Sequence, residues 1–181
     1  MESTEKYRVL IVDDQPEVLK YHLKAMSDSG MECTLVESVD QALETISSKN
    51  EFDLFIIDRM LPEKVGGISE IKQGEFLYEK IRKIGINKPI VIFSNYIDTD
   101  ILIKYEDSKI ILLDKGLVSP NEMADRVVDI IDSSSKGDIS ESEWEISRLI
   151  KHAREMQSDI LQIRNTISEL KEEVRGLVEV K

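Results

Sequence analysis

Four short runs of apolar, largely β-branched residues constrain the fold of this chain more than any other feature. They span residues 8–12, 53–57, 89–93 and 109–113, and amphipathic helical patterns separate them. Continuous apolar runs of this length are typical of parallel strands that are buried on both faces. The sequence therefore predicts an α/β fold built on a parallel sheet.

Weaker signals complete this pattern. Residues 33–37 predict a fifth strand, whose shorter and more polar sequence indicates the edge of the sheet. Pro16 stands where the first helix can begin, Ser38 can cap the second helix, and Ser119 opens a capping box before the last one. A long loop is expected over residues 59–74. The pattern predicts five alternating strand and helix units.

The predicted strands end on polar residues. These are Asp13 and Asp14, Asp58, Ser94, and Lys115. In an open α/β sheet, ligands bind beyond the carboxyl ends of the strands. We therefore expect these five side chains to converge on one crevice.

The residues expected in the crevice suit phosphoryl transfer. Carboxylates brought close together repel each other, and they stay ionised only when a cation neutralises them. Hard oxygen ligands favour Mg²⁺, which commonly binds through one or two carboxylates and a substrate phosphate. Asp58 is then the nucleophile that attacks phosphorus, while Lys115 pairs with the phosphoryl group and Ser94 donates a hydrogen bond to it.

This constellation resembles a response-regulator receiver domain over about residues 6–135. The matching positions are the strand at 9–12 with Asp13 and Asp14, Asp58 with Met60 and Pro62, and then Ser94 and Lys115. The resemblance implies a flavodoxin-like, doubly wound five-stranded parallel sheet with the strand order 2-1-3-4-5.

The resemblance also implies the partners and the cofactor. A histidine kinase or a phosphotransfer protein is expected to phosphorylate Asp58 in the presence of Mg²⁺ or Mn²⁺. The ion is expected to bind Asp13, Asp14, Asp58 and the backbone carbonyl of Met60, with Asp13 acting mainly through water. No enzyme activity is expected beyond self-phosphorylation and slow autodephosphorylation at Asp58.

Some positions depart from the pattern of the family. Leu112 stands three residues before the lysine, where an aromatic residue is usual, Gly116 replaces a proline, and Asn95 replaces a smaller residue. Either Gly66 or Gly74 fits the glycine of the loop after the phosphoacceptor, which implies an insertion of about eight residues. The usual aromatic switch is not available, so atypical output coupling is expected.

The sequence pattern changes after residues 1–133, the expected receiver domain. Residues 134–140 have the small polar composition of a linker, and residues 141–181 carry a heptad repeat. The predicted seam consists of Ile146, Leu149, Ala153, Met156, Ile160, Ile163, Ile167, Leu170, Val174 and Leu177. Because most a positions are β-branched, we expect a parallel two-stranded coiled coil that forms a homodimer. The alternatives are a helix folded back on the receiver or paired with another protein.

The composition of the chain limits the classes of binding partner and the cellular compartment that we expect. The formal net charge is −12 and no basic patch stands out, so nucleic-acid binding is not expected. The single cysteine, Cys33, excludes an internal disulfide and suits a reducing compartment. Neither a signal peptide nor a membrane-spanning apolar run is apparent. We expect a cytoplasmic protein that signals by contact with an unidentified downstream protein.

Other functions are open at this point. The chain can be a phosphoryl sink or a phosphorelay intermediate, or a scaffold that takes no phosphate and only presents the coil. A haloacid-dehalogenase phosphatase also uses a strand-end aspartate, but it needs an acid two residues later, where this chain has Met60 after Asp58 and Gln15 after Asp13. His152 lacks the pattern of a phosphotransfer histidine and is interpreted as a surface residue.

Overall fold

The computed structural model describes residues 7–48, 51–98, 101, 104–105, 110–135, 164 and 166–167. The chain divides into two compact units, residues 1–140 and 141–181. In the second unit, residues 164, 166 and 167 are helical. The predicted coiled coil, its seam and the dimer otherwise fall outside the described residues and stay predictions.

Strands and helices alternate along the described part of the first unit. The strands are β1 (Arg8–Val12), β2 (Glu32–Val36), β3 (Leu54–Ile57), β4 (Met60–Pro62), β5 (Ser69–Ile71), β6 (Ile90–Ser94) and β7 (Ile110–Asp114). The helices are α1 (Pro16–Asp28), α2 (Val39–Ser48), α3 (Gln73–Lys83) and α4 (Pro120–Ser135). None of the helices in this part of the chain combines the length and hydropathy needed to cross a membrane.

The main sheet has five parallel strands in the order β2-β1-β3-β6-β7. This order confirms the predicted order 2-1-3-4-5, because β4 and β5 form a sheet of their own. β2 lies at one edge, as predicted, and none of its side chains is fully buried. All residues of the central strand β3 are buried.

Helices cover both faces of the main sheet. On β1, Val9 and Ile11 belong to one buried cluster, whereas Leu10 and Val12 belong to another. Residues of α1 and α4 pack in the first cluster, and residues of α2 and α3 pack in the second. A fully buried aliphatic side chain contributes about 1.5–3 kcal/mol, so both faces of each central strand favour apolar residues. This burial explains the continuous apolar runs and fixes the carboxyl ends of the strands at one edge.

The predicted helix starts are confirmed. Pro16 is the first residue of α1. The hydroxyl oxygen of Ser38 accepts a hydrogen bond of 3.3 Å from the backbone amide of Gln41, and that of Ser119 accepts one from a first-turn amide of α4 at the same distance. α4 continues through Ser135, into the residues predicted as a linker.

The prediction of a long loop over residues 59–74 is wrong. Most of this segment forms an antiparallel hairpin of β4 and β5, followed by the start of α3. The side chain of Leu61 is fully buried and anchors β4 in the core. The backbone amide of Asp40 donates a 3.0 Å hydrogen bond to the carbonyl of Glu63, which attaches the hairpin to the start of α2. This segment therefore forms secondary structure beside the carboxyl ends of the strands.

Candidate functional site

A lysine ammonium bridges two buried carboxylates at the carboxyl end of the main sheet. The Nζ of Lys115 lies 2.5 Å from Oδ2 of Asp13 and 2.5 Å from Oδ2 of Asp58. These residues directly follow β7, β1 and β3, and at most 6 % of each side chain is exposed. The parallel sheet therefore brings together three residues that are far apart in sequence, as the strand-end argument predicts.

At both Asp13 and Lys115, burial and the oppositely charged neighbours shift the pKa in opposite directions. Burial raises the pKa of the Asp13 carboxyl above its ordinary value of 3.8, although the neighbouring Lys115 ammonium opposes the shift. Burial by itself would lower the pKa of Lys115, but the carboxylates of Asp13 and Asp58 outweigh it, so that pKa is raised. The ammonium is therefore fully charged at neutral pH.

The other oxygen of each bridged carboxylate is bound by its own loop. The backbone amide of Gln15 donates a 2.9 Å hydrogen bond to Oδ1 of Asp13, and the amide of Met60 donates a 3.2 Å hydrogen bond to Oδ1 of Asp58. Both are turns in which an aspartate caps the amide two residues later. These turns fix the direction in which each carboxylate faces the crevice.

Asp14 completes a cluster of three acids. One carboxylate oxygen from each of Asp13, Asp14 and Asp58 lies within 4.8 Å of the others. Oδ1 of Asp14 is buried and has no hydrogen-bond partner within the described part of the chain. Among the described residues, the Lys115 ammonium pairs with two of these three carboxylates, and an unpaired buried carboxylate oxygen is costly unless a cation binds it. Hard oxygen ligands of this kind fit Mg²⁺ or Mn²⁺.

Ser94 lies at the end of the neighbouring strand β6 and is fully buried. Its carbonyl accepts a 3.2 Å hydrogen bond from the backbone amide of Lys115. Its hydroxyl oxygen accepts a 3.3 Å hydrogen bond from the amide of Tyr96. The structure therefore places all five predicted strand-end residues at the same edge of the sheet.

A buried arginine that the sequence does not predict lies beside the acid cluster. Arg59 directly follows Asp58, and its side chain is 1 % exposed. It donates hydrogen bonds to Glu75 on α3, and to the carbonyl of Tyr96 and the carboxylate of Asp98 in the segment after β6. Burial by itself would lower the pKa of Arg59, but its acidic partners outweigh this, so that pKa is raised. No local sequence signal distinguishes this arginine from a surface residue.

Gly74 brings the start of α3 against the backbone of Asp58. A Cβ at this position would lie 2.0 Å from the carbonyl oxygen of Asp58 and 2.9 Å from Cα of Arg59. The amide of Gly74 donates a 3.1 Å hydrogen bond to the carbonyl of Arg59. Of the two glycines considered for this position, Gly74 is therefore the one that packs on the strand end.

Leu112 and Asn95, the residues noted above as departures from the family pattern, lie in different surroundings. Leu112 on β7 is half-buried and packs against the cluster covered by α2 and α3. Asn95 is exposed. The position where an aromatic ring is usual therefore holds a half-buried aliphatic side chain that packs against the core.

The sequence matches a known domain family over most of the sheet. Residues 9–112, more than half of the chain, match the response regulator receiver domain. The match includes Asp13, Asp14, Asp58 and Ser94 and ends before Lys115. The position of Lys115 in the crevice therefore rests on the structure.

Solved receiver structures share this fold. A CheY-like receiver domain protein from Methanospirillum hungatei is 20 % identical with a TM-score of 0.62, and the similarity covers 74 % of this chain and 99 % of that one. The receiver domain of a Francisella response regulator is 25 % identical with a TM-score of 0.59, covering 71 % of this chain and 99 % of its own. A response regulator from Thermotoga maritima is 20 % identical with a TM-score of 0.54, with coverage of 71 % and 99 %.

Proposed function

Because the chain belongs to the response-regulator receiver family, we propose that it accepts a phosphoryl group on Asp58 from a histidine kinase or a phosphotransfer protein. The observation that carries this proposal is the environment of Asp58. Its carboxylate is buried, lies 2.5 Å from the Lys115 ammonium and shares an acid cluster with Asp13 and Asp14. A buried carboxylate nucleophile with a cation beside it suits attack on phosphorus.

The proposed cofactor is Mg²⁺ or Mn²⁺, held by Asp13, Asp14, Asp58 and the carbonyl of Met60. Two observations on the described residues support this assignment, namely the excess of carboxylates over ammonium groups in the crevice and the buried oxygen of Asp14 that has no hydrogen-bond partner among them. When bound, the ion neutralises negative charge that would otherwise repel an incoming phosphoryl group.

In the proposed transfer, an oxygen of Asp58 forms the new bond to phosphorus. The bond between phosphorus and the donor nitrogen or oxygen breaks, and its electron pair leaves with the donor. The Lys115 ammonium already contacts the acceptor carboxylate and pairs with a phosphoryl oxygen. The bond from the Tyr96 amide uses a lone pair of Ser94, which leaves the hydroxyl hydrogen of Ser94 for another phosphoryl oxygen. The expected slow hydrolysis is a separate step, in which water attacks phosphorus, inorganic phosphate leaves and the Asp58 carboxylate is restored.

The proposed output is contact between proteins. Residues 141–181 form a parallel coiled-coil homodimer in this proposal, and the dimer signals to a downstream protein in the cytoplasm and binds no nucleic acid. The heptad seam supports self-association, and the net charge of −12 opposes binding to a nucleic-acid backbone.

The phosphorylation proposal is tested by intact-mass measurement of the full chain after incubation with acetyl phosphate and Mg²⁺. We expect one phosphoryl adduct that is lost at alkaline pH, and no adduct with Asp58→Asn. Asp114→Asn is the matched control, because Asp114 lies beside Lys115 but its carboxylate accepts a bond from the Gly116 amide. The proposal is overturned if the wild-type chain forms no adduct, or if the adduct persists in Asp58→Asn.

The dimer proposal is tested by light scattering of the purified chain. Truncation after Gly137 is expected to give monomers, and Ile160→Lys in the predicted seam is expected to weaken the dimer. Asn165→Lys introduces the same charge at a position that the heptads place outside the seam, and it is expected to leave the dimer intact. A dimer that survives truncation would show that another surface is the principal interface.

A further inference from the structure

The inserted hairpin reaches the acid cluster through one side chain. The hydroxyl of Ser69, the first residue of β5, donates a hydrogen bond to Oδ2 of Asp14. The other oxygen of this carboxylate, Oδ1, is the buried atom without a hydrogen-bond partner in the described part of the chain. The carboxylate of Asp14 thus has one oxygen bound by the hairpin and one that accepts no hydrogen bond from the described residues.

The hairpin is well suited to hold that hydroxyl in place. Its strands pair in a fixed register, with Pro62 opposite Ser69 and Met60 opposite Ile71. Met60, at the open end of the hairpin, donates its amide to Asp58, whereas Ser69, beside the turn on the other strand, binds Asp14. Both carboxylates are connected to the same two-stranded element.

The turn of the hairpin is also specific. The amide of Gly67 donates a 2.9 Å hydrogen bond to the carbonyl of Lys64, and Gly66 has a φ of +73°. A Cβ at Gly67 would lie 2.9 Å from the carbonyl oxygen of Lys64. Two consecutive glycines thus meet the steric requirements of the turn, so the sequence of the turn favours the hairpin.

We propose that Ser69 is a positioning residue of the divalent-cation pocket. By occupying Oδ2 of Asp14, its hydroxyl holds the carboxylate so that Oδ1 is the oxygen offered to the ion. This inference rests on the proposed function, because it assumes that the acid cluster binds Mg²⁺ or Mn²⁺. Hydrogen bonds to ligating carboxylates restrict their orientation, and losing such an outer-shell partner typically weakens metal affinity by about 10- to 100-fold.

The test is Mn²⁺ binding to the full chain, measured by calorimetry and by the electron paramagnetic resonance signal of free Mn²⁺. Ser69→Ala is expected to weaken the affinity about tenfold. Ser69→Thr retains the hydroxyl and suits a strand position, so it is expected to recover most of the loss. Ile71→Ala is the matched control on the same strand, because half of the Ile71 side chain is exposed. Melting temperatures measured in a chelator show whether each variant is folded.

The outcomes separate this inference from the proposed function. If the wild-type chain binds Mn²⁺ and Ser69→Ala binds it equally well, the role of Ser69 is overturned while the phosphoacceptor site stands. If Ile71→Ala loses as much affinity as Ser69→Ala, the effect belongs to the hairpin as a whole and the role of the hydroxyl is overturned. If the wild-type chain binds no Mn²⁺, the metal-dependent function and the inference fall together.

Discussion

Nε of Arg59 donates a 2.8 Å hydrogen bond to Oε1 of Glu75, and only 1 % and 4 % of the two side chains are exposed. This ion pair connects the end of β3, immediately after Asp58, to the first turn of α3. A second nitrogen of the same guanidinium binds the carbonyl of Tyr96 at 2.7 Å and the carboxylate of Asp98 at 2.6 Å. One arginine thus joins the segment after β3, the start of α3 and the segment after β6.

We expect Glu75→Gln to lower the free energy of unfolding by about 3 kcal/mol, because the buried Arg59 guanidinium loses its buried acidic partner and keeps only the exposed carboxylate of Asp98. Urea unfolding of the full chain, followed by circular dichroism, measures this change. Glu79→Gln is the matched control, since Glu79 is exposed and bonds Lys104. An exposed pair of this kind contributes at most about 1 kcal/mol.

The coupling within the pair can be measured with Arg59→Met in a double-mutant cycle. Residues that share a buried ion pair commonly show interaction free energies of about 0.5–3 kcal/mol, so the two substitutions together are expected to cost less than the sum of their separate effects. Strict additivity would contradict the assignment, because it would mean that Arg59 and Glu75 do not stabilise each other.

Gly74→Ala is expected to destabilise the chain by about 3 kcal/mol. The added Cβ would lie 2.0 Å from a backbone carbonyl oxygen, and that backbone belongs to Asp58 at the centre of the site. Gly116→Ala is the matched control, because its nearest neighbour is a side-chain oxygen of Asp114 at 3.2 Å, which can move. Equal urea midpoints for the two variants would show that α3 does not pack as closely on β3 as the structure indicates.

Lys115→Met removes the cation shared by two buried carboxylates. In the presence of a chelator, we expect the free energy of unfolding to fall by about 3 kcal/mol. Saturating Mg²⁺ is expected to recover more stability in this variant than in the wild type, because a ligand that binds only the folded chain stabilises it. Lys88→Met, which removes an exposed lysine 3.4 Å from Asp53, is the control and is expected to change stability by less than about 1 kcal/mol. A Mg²⁺ response equal to that of the wild type would contradict the shared-cation geometry.

The main sheet was predictable because its strands are buried on both faces, so that apolar runs and strand ends are visible in the sequence. Asp13, Asp58 and Lys115 were predictable for the same reason, since a polar residue at the end of a strand is placed by the strand itself, without knowledge of side-chain contacts. The hairpin was not predictable, because each of its strands has three residues and no alternating pattern. Its stability comes from tertiary contacts such as the burial of Leu61.

The burial of Arg59 and its ion pairs could not be predicted from the sequence for a related reason. A charged residue next to Pro- and Gly-rich sequence normally indicates a surface loop. Its burial depends on Glu75 and Asp98, which lie 16 and 39 positions further along the chain. Such a pair becomes visible only once the start of α3 and the segment after β6 have been placed beside β3.

Cys33 gives a prediction that is independent of the site. Burial raises the pKa of its thiol from 9.0 to about 11, and it is the only cysteine of the chain, so alkylation reports on this residue alone. The thiolate is the reactive form, so at pH 8 iodoacetamide is expected to react about a hundredfold more slowly with the folded chain than with the chain in urea.

The raised pKa of Cys33 means that the folded state retains the proton, so the stability this thiol contributes is complete below pH 9 and is lost as the pH rises through about 11. The alkylation rate of the folded chain is therefore expected to keep rising up to about pH 11, whereas the rate in urea levels off near pH 9. A folded-state rate that levels off at the same pH as in urea would show that the Cys33 side chain is not buried against the core.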